Sequence, residues 1–188
     1  GSGKTRVVTY RIAHLIQDIG IDPRSILAIT FTNKAANEMR ERVDRIVSYG
    51  AESIWVSTFH STCVRILRRF IDHLGYDRSF TIYDSDDQKS LMKDICKHLN
   101  IDTKKYKEKT FLNAISSAKN ELQTPDQYAA EVAKEYNKKI FGSVYREYQR
   151  RLQQNNALDF DDLIMKTVEL FQKEPEVLRQ YQERFRYL

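Results

Sequence analysis

The chain opens with Gly1-Ser2-Gly3-Lys4-Thr5, and an amphipathic run follows at once. A glycine-rich turn that leads into a helix presents several backbone N–H groups and the positive end of the helix dipole, and both attract phosphate oxygens. In such a loop Lys4 would reach the β- and γ-phosphates of a nucleotide, and the Thr5 hydroxyl would ligate Mg²⁺. The stretch therefore predicts a phosphate-binding loop. On these residues alone, the alternative that Gly-Ser-Gly is an expression scar stays open.

The composition limits the class of protein. The 188 residues, 41% hydrophobic and 30% charged, allow one domain or two small ones. The net charge of +5 favours polyanionic partners. Cys63 and Cys96 fit a reduced compartment better than a disulfide framework, and Cys96 with His98 lacks the second pair that a zinc site needs. No apolar run is long enough for a membrane span and no signal peptide is visible, so we expect a cytoplasmic protein.

The first third of the chain alternates helical and strand patterns. The predicted elements are a helix from residue 7 to a stop at Gly20, a strand at 26–30, a helix over 36–47, a strand at 54–59 and a helix over 64–74. The strand at 26–30 is a continuous apolar run, which is typical of a strand buried on both faces. This order predicts βαβ units, a parallel sheet and an α/β fold class.

Beyond Gly75 the pattern becomes helical. After a short strand at 80–83, the predicted helices begin at Asp84 or Ser85, at 110, at Pro125, at 135, at Asp159 and at Pro175, and residues 185–188 resemble the opening of a strand. The polar stretch at 153–156 is predicted to connect two parts of the chain. We therefore predict an α/β domain in residues 1–75, a helical insert in 76–156 and a return to the first domain in 157–188.

Two polar motifs follow the predicted strands of the first third, namely Thr30-Phe31-Thr32-Asn33 and Thr58-Phe59-His60-Ser61. Ligands of open α/β sheets bind at the carboxyl ends of strands. Hydroxyls and helix N-terminal amides hold a phosphate backbone, and an aromatic ring gives an unstacked base a platform. The alternative is that Phe31 and Phe59 are core residues and that the threonines only cap helices.

Four segments, in this order and spacing, resemble the UvrD/Rep/PcrA-type superfamily 1 DNA helicases. They are GSGKTR at 1–6, ILAITFTNKAA at 26–36, STFHS at 57–61 and LDFDDLI at 158–164, and SAKNEL at 117–122 extends the resemblance through the insert. The resemblance implies a RecA-like P-loop motor domain with an inserted all-helical subdomain. It also implies a bacterial cytoplasmic enzyme that uses ATP and Mg²⁺ to move along single-stranded DNA and to unwind duplex DNA in replication and repair.

The resemblance assigns roles residue by residue. The ATP-binding positions are Gly1, Ser2, Gly3, Lys4, Thr5 and Arg6, with Thr5 on the magnesium of the nucleotide. The DNA-binding positions are Thr30, Phe31, Thr32, Asn33, Thr58, Phe59 and His60. Asp159, Phe160, Asp161 and Asp162 match a motif at the return to the motor domain, where Asp159 as a helix cap followed by two acidic residues already explains the carboxylates.

Several parts of the family pattern are missing from these residues. The acidic motif that holds Mg²⁺ and activates water is expected just beyond Leu188, and the adenine-reading segment, the second motor domain and its arginine are also missing. The resemblance thus implies an N-terminal fragment without a complete catalytic set, inactive alone, whose partners are single-stranded DNA, single-strand/duplex junctions and the C-terminal motor domain. A P-loop kinase or small GTPase would share only the opening loop. A binding module without turnover would keep the fold and the basic surface.

Overall fold

The computed structural model describes residues 3–188 as α-helices with short parallel β-sheets. The helices are α1 (Lys4–Gln17), α2 (Asn33–Ile46), α3 (Phe59–Phe70), α4 (Ser85–His98), α5 (Glu108–Asn120), α6 (Pro125–Val132), α7 (Lys139–Gln154), α8 (Phe160–Lys173) and α9 (Pro175–Arg184). The strands are β1 (Leu27–Thr30), β2 (Trp55–Thr58), β3 (Thr81–Ile82) and β4 (Ala157–Leu158). The mixed α/β class with parallel sheets is confirmed.

The chain divides into two compact units. Unit 1 comprises Gly1–Arg65 with Phe171–Leu188, and unit 2 comprises Ile66–Leu170. The predicted assignment of residues 1–75, 76–156 and 157–188 to a motor domain and its insert remains a prediction. No helix within residues 3–188 is long and apolar enough to cross a membrane.

The sheet of unit 1 is built from β1 and β2, which run parallel with Thr30 paired to Thr58 at their carboxyl ends. Tyr187 forms a parallel bridge with Ile26 on the other side of β1, so the strand opening predicted at 185–188 is present as one bridge. The N–H of Leu27 donates to the carbonyl of Tyr187 at 2.9 Å. The elements of unit 1 thus alternate as the sequence predicts.

The core of unit 1 lies between the sheet and the helices α1 and α2. It contains Ile16 of α1, Val43 of α2 and Val56 of β2, all buried. Three apolar residues of the first predicted helix, Val7, Val8 and Ile19, are exposed instead. Because α1 ends at Gln17, Ile19 lies beyond the helix and cannot join its buried face.

Two predicted ends of elements in unit 1 are wrong, namely that of α1, described above, and that of β2. The strand predicted at 54–59 ends at Thr58, and Phe59 is the first residue of α3. The hydroxyl of Thr58 accepts the backbone N–H of Ser61 at 3.1 Å, which caps α3 and ends the strand.

An aromatic cluster fastens α9 to β2 within unit 1. The indole of Trp55 is buried, with the guanidinium groups of Arg65 and Arg184 lying 3.8 Å and 4.8 Å from the centroids of its rings. The ring of Phe185 lies 4.8 Å from the indole and stacks on that of Tyr181. Burial of these rings and the cation–π contacts stabilise this end of the chain.

Unit 2 is mainly helical. Helices α4, α5 and α7 share a buried core that includes Ile95, Phe111 and Tyr148, and α6 packs against α7. The strand predicted at 80–83 is confirmed but is only two residues long, and it pairs in parallel with β4, which the sequence did not predict. The helix predicted from residue 135 begins at Lys139, because Tyr136–Lys138 forms a 3₁₀ turn.

Candidate nucleotide and nucleic-acid sites

The sheet of unit 1 brings the two predicted DNA-binding motifs together. Because Thr30 pairs with Thr58 in parallel strands, the residues that follow them emerge at the same edge of the sheet. The rings of Phe31 and Phe59 are neighbours there, with centroids 6.2 Å apart and planes inclined by 45°. Two aromatic rings therefore stand together where α/β sheets bind their ligands.

Both rings face solvent. Phe31 is 92% exposed and Phe59 is 49% exposed, so the alternative that these are core residues is wrong. Single exposed apolar residues are common on protein surfaces, but two adjacent phenylalanines at a ligand-binding edge are not explained by core packing. They form a surface that an apolar ring or a nucleobase can cover.

The hydroxyls of the two motifs shape the turns that present the rings. The Thr30 hydroxyl donates to the carbonyl of Thr32 at 3.1 Å, and the Thr32 hydroxyl accepts the N–H of Ala35 at 3.1 Å. Thr32 is thus the N-cap of α2, as Thr58 is the cap of α3. The capping alternative is confirmed for Thr32 and Thr58, whereas the Thr30 hydroxyl bonds a carbonyl within its turn.

Other polar groups remain at this edge. Asn33 and Lys34 are exposed in the first turn of α2, and His60 is half-buried in the first turn of α3. The first backbone N–H groups of each helix have no partner within the helix, and they carry the positive end of its dipole. The edge offers exposed rings beside groups suited to phosphate.

The predicted nucleotide loop is described from Gly3 onward, and Gly1 and Ser2 lie outside the described residues. Lys4 begins α1 and is exposed, and Thr5 follows within the first turn. The first turn of α1 contains no acidic residue, so nothing in it opposes an anion. The guanidinium of Arg6 lies 5.7 Å from the ring centroid of Tyr10. These described residues fit a phosphate ligand at a helix N-terminus.

A buried charge cluster forms in unit 2 at the start of α8. The ammonium of Lys119 lies 2.7 Å from the Oδ2 atom of Asp159 and 3.0 Å from the Oδ1 atom of Asp162, and the Lys119 side chain is 0% exposed. The Tyr148 hydroxyl donates to the same Oδ2 atom of Asp159 at 2.9 Å. The Lys119 ammonium thus faces both carboxylates, and the Tyr148 phenol provides a second donor to Asp159.

The same two carboxylates cap α8 reciprocally. The N–H of Asp162 donates to Asp159 Oδ1 at 2.8 Å, and the N–H of Asp159 donates to Asp162 Oδ2 at 3.2 Å. The predicted capping role of Asp159 is confirmed. The sequence did not predict that Asp162 would be buried and paired with Lys119.

Burial and charge act together on the proton affinities of this cluster. Burial by itself lowers the pKa of Lys119, but the adjacent carboxylates outweigh it and the pKa is raised. Burial also raises the pKa of Asp162, and the attraction of Lys119 only partly offsets this. Burial and the neighbouring Asp159 raise the pKa of Tyr148. Within residues 3–188 no group of three or more His, Cys, Asp or Glu side chains is arranged to hold a metal ion.

Phe160 is a further candidate, which the sequence placed in the motif at 159–162 without assigning it a binding role. It is the first residue of α8, directly follows β4 and its capping residue, and is 54% exposed. The end of β2 shows the same local arrangement. There the capping residue Thr58 is followed by the half-exposed Phe59. This repeated pattern, a cap followed by phenylalanine, is the signal that could have identified Phe160.

Comparisons with known proteins agree with these observations. Residues 1–188 match the family described as UvrD/REP helicase N-terminal domain. The chain is 55% identical to the ATP-dependent DNA helicase PcrA of Staphylococcus aureus and 53% identical to that of Staphylococcus epidermidis, in each case over all 188 residues. The chain spans about a quarter (26%) of the length of these relatives. The match of the family over the whole chain, with these identities, shows that the chain belongs to the UvrD/REP helicase family.

Proposed function

We propose that this chain forms the nucleotide- and DNA-binding part of an ATP-dependent DNA helicase that moves along single-stranded DNA and unwinds duplex DNA at single-strand/duplex junctions in replication and repair. The observation that carries the proposal is the exposed pair of Phe31 and Phe59 at the carboxyl ends of β1 and β2. The names of the staphylococcal relatives support it.

Residues 1–75 and 157–188 then correspond to a RecA-like P-loop motor domain, and residues 76–156 to a helical subdomain inserted into it. The parallel pairing of β1 with β2 supports the first part, and the helices α4–α7 support the second. Pairing of β3 with β4 brings together the two ends of the helical segment, as an insertion requires. The other partner is a second motor domain in the C-terminal part of the same bacterial, cytoplasmic protein.

The cofactors are ATP and Mg²⁺. ATP supplies the phosphoryl transfer that drives movement. The loop Gly1–Gly3 and the first turn of α1 would surround its phosphates, Lys4 would neutralise their charge, Thr5 would ligate the magnesium, and Arg6 would lie beside them. The exposed Lys4 and the absence of acidic residues from that turn fit this role.

Single-stranded DNA would lie across the edge formed by Thr30, Phe31, Thr32 and Asn33 and by Thr58, Phe59 and His60. The two phenylalanines would stack on bases, and the helix N-termini, Asn33 and His60 would hold the phosphates. The threonine hydroxyls act by fixing the turns, since those of Thr32 and Thr58 cap helices and that of Thr30 donates to the carbonyl of Thr32. In unit 2, the ring of Phe160 would make a separate contact with the single-stranded DNA.

Titration of a labelled oligothymidylate at fixed salt tests this proposal in the full-length protein. Phe31→Ala and Phe59→Ala should each weaken binding by about 1–3 kcal/mol, the scale of one base–aromatic stack. Tyr49→Ala is the matched control, because Tyr49 is also an exposed aromatic of unit 1 but follows the opposite end of α2. Equal affinity in all four proteins would overturn the proposed DNA site.

A further inference from the structure

The charge cluster of unit 2 connects Lys119 of α5 to the first turn of α8. The inference drawn from it rests on the proposed function. We propose that Lys119 is a positioning residue for nucleic-acid binding. It sets the first turn of α8 through Asp159 and Asp162, and thereby orients the ring of Phe160 toward a base of single-stranded DNA.

The hydrogen bonds show how Lys119 acts on the turn. Each carboxylate directs one oxygen at the backbone of α8 and the other at Lys119, and the side-chain amide of Gln149 also donates to both oxygens of Asp162 at 3.3 Å. Asp159 accepts the N–H of Asp162 at Oδ1 and contacts Lys119 at Oδ2, whereas Asp162 accepts the N–H of Asp159 at Oδ2 and contacts Lys119 at Oδ1. The position of the ammonium group therefore helps to fix the carboxylates of both Asp159 and Asp162, which cap α8.

Lys119 is itself held in one place. Its side chain is fully buried on α5, and its ammonium lies 5.1 Å from the ring centroid of Tyr148 and 6.0 Å from that of Tyr145. The Tyr148 hydroxyl bonds the same carboxylate oxygen as Lys119. The rings of Tyr145 and Tyr148 and the hydrogen-bonded carboxylate of Asp159 thus restrict the position of the ammonium group.

Energetics favour a positioning role over a purely stabilising one. A buried ion cluster is often no more stabilising than apolar side chains of similar volume, because desolvation of the charges offsets their attraction. Removing the cation alone would leave two carboxylates buried side by side, and these cannot both stay ionised. One of them would take up a proton, and the reciprocal cap of α8 would then change.

Phe160 lies between the two carboxylates in sequence and is the residue that this turn presents. It is the first residue of α8, and its ring is half-exposed while both flanking caps, Asp159 and Asp162, are buried. The direction of its side chain follows from the dihedral angles of the turn, which the caps determine. Lys119 thereby governs an exposed ring that it does not need to touch.

The test is a double-mutant cycle in the full-length protein, read as the affinity for a labelled oligothymidylate of about 16 nucleotides at fixed salt. Phe160→Ala should weaken binding about 5- to 150-fold, the loss of one stacked base. Lys119→Met should weaken it about 3-fold or more, since a displaced ring keeps only part of the stack. The double variant should bind no more weakly than Phe160→Ala, because Lys119 acts only through that ring.

Two further variants keep the test decisive. Lys173→Met removes an exposed lysine at the opposite end of α8 and should change affinity less than about 2-fold, which bounds the non-specific charge effect. Asp162→Asn keeps an acceptor oxygen for the N–H of Asp159 but removes the charge facing Lys119. Asp162→Asn should also weaken binding. If circular dichroism shows that Lys119→Met is unfolded, the affinity of Asp162→Asn decides whether the positioning role holds.

The outcomes separate the two claims. If Phe160→Ala binds as the unaltered protein does, the proposed contact of Phe160 is wrong and the role of Lys119 falls with it. If Phe160→Ala binds weakly while Lys119→Met and Asp162→Asn bind normally, the contact stands and the positioning role is wrong. Additive losses in the double variant would also contradict the positioning role.

Discussion

The rings of Phe31 and Phe59 lie 6.2 Å apart because the residues before them, Thr30 and Thr58, are paired in adjacent parallel strands. Two motifs that are well separated in the sequence thereby form a single exposed surface. The spacing of the rings is within the range in which aromatic side chains interact. The pair should therefore act as one platform.

The first prediction is that the two rings are energetically coupled in DNA binding. If they share one platform, the double variant Phe31→Ala/Phe59→Ala should lose less affinity than the sum of the two single losses, by about 0.5 kcal/mol or more. Titrations of the four proteins with the same oligonucleotide measure the coupling. Fully additive losses would mean that the rings bind independently.

Stability measurements separate binding from folding in the same proteins. Because Phe31 is almost fully exposed, Phe31→Ala should change the free energy of unfolding by no more than about 0.5 kcal/mol. A core phenylalanine would cost about 3–5 kcal/mol. A large fall in the melting temperature of Phe31→Ala, with unchanged DNA affinity per folded molecule, would show that the Phe31 side chain is buried in the core.

The second prediction concerns nucleotide turnover. The 188-residue chain alone should hydrolyse ATP no faster than buffer. The family resemblance implies that the acidic motif and the second motor domain are not among these residues, and phosphoryl transfer needs a positioned metal, water and compensating charge. In the full-length protein, Lys4→Ala should lower the DNA-stimulated ATPase rate about 100-fold or more.

Lys173→Ala is the control for the ATPase measurement. Lys173 is an exposed lysine at the end of α8, so its loss changes net charge equally without touching the loop. DNA-stimulated ATPase activity in the 188-residue chain, abolished by Lys4→Ala, would show that these residues contain a complete catalytic set.

The third prediction concerns the contact between α6 and α7. A Cβ atom added at Gly142 would lie 2.9 Å from the Cα atom and 3.0 Å from the Cβ atom of Ala129, so backbone would have to move. Overpacking of this kind costs about 1–3 kcal/mol, whereas replacing a helical glycine by alanine gains about 1 kcal/mol. Gly142→Ala should therefore destabilise by up to about 2 kcal/mol.

Urea unfolding measures that effect. Ser143→Ala is the matched control, because Ser143 is the next residue of α7 and is exposed. It should be neutral or slightly stabilising. Stabilisation by Gly142→Ala would show that α6 and α7 are not in close contact.

The structural predictions from the sequence succeeded where apolar patterns were long. The continuous run at 26–30 and the periodic residues of α2 identified their elements, because burial on one or two faces leaves a regular pattern. Strand β4 has only two residues and leaves no such pattern. The 3₁₀ turn at Tyr136–Lys138 was also missed, because local turn chemistry rather than apolar periodicity decides where α7 begins.

The candidate site was predictable in part for similar reasons. The position of Phe31 at a strand end predicted exposure at the ligand edge, which the structure confirms. The burial of Lys119 was not predictable, because a lysine in a helix is usually solvated and its partners lie 40 residues or more further along the chain. Only the folded arrangement of α5 and α8 shows that SAKNEL and LDFDDLI meet.

The fourth prediction is a loss of stability in alkaline solution. The pKa of Lys119 is raised from its ordinary 10.5, because its two carboxylates outweigh burial, and burial raises the pKa of Tyr145 and Tyr148 above 10.0. Above these ordinary values the unfolded chain loses protons that the folded chain keeps. The stability these groups contribute is thus fully present below about pH 10 and declines as the pH rises further.

Each such proton contributes a slope of about 1.4 kcal/mol per pH unit. Tyr148→Phe should therefore flatten the fall in unfolding free energy between pH 10 and 11.5 relative to the unaltered protein. Urea titrations of both proteins at several pH values measure the two slopes. Equal slopes in the two proteins would contradict the burial of the Tyr148 phenol.

Photo-crosslinking tests the central claim most directly, namely that the carboxyl-terminal edge of β1 and β2 binds single-stranded DNA through stacked rings. An oligonucleotide containing 5-iododeoxyuridine, irradiated on the full-length protein and mapped by mass spectrometry, should form adducts at Phe31 or Phe59. Phe31→Ala should remove its adduct, and unlabelled oligonucleotide should compete for both. Adducts confined to segments outside 30–33 and 58–60, unchanged in Phe31→Ala, would contradict the account.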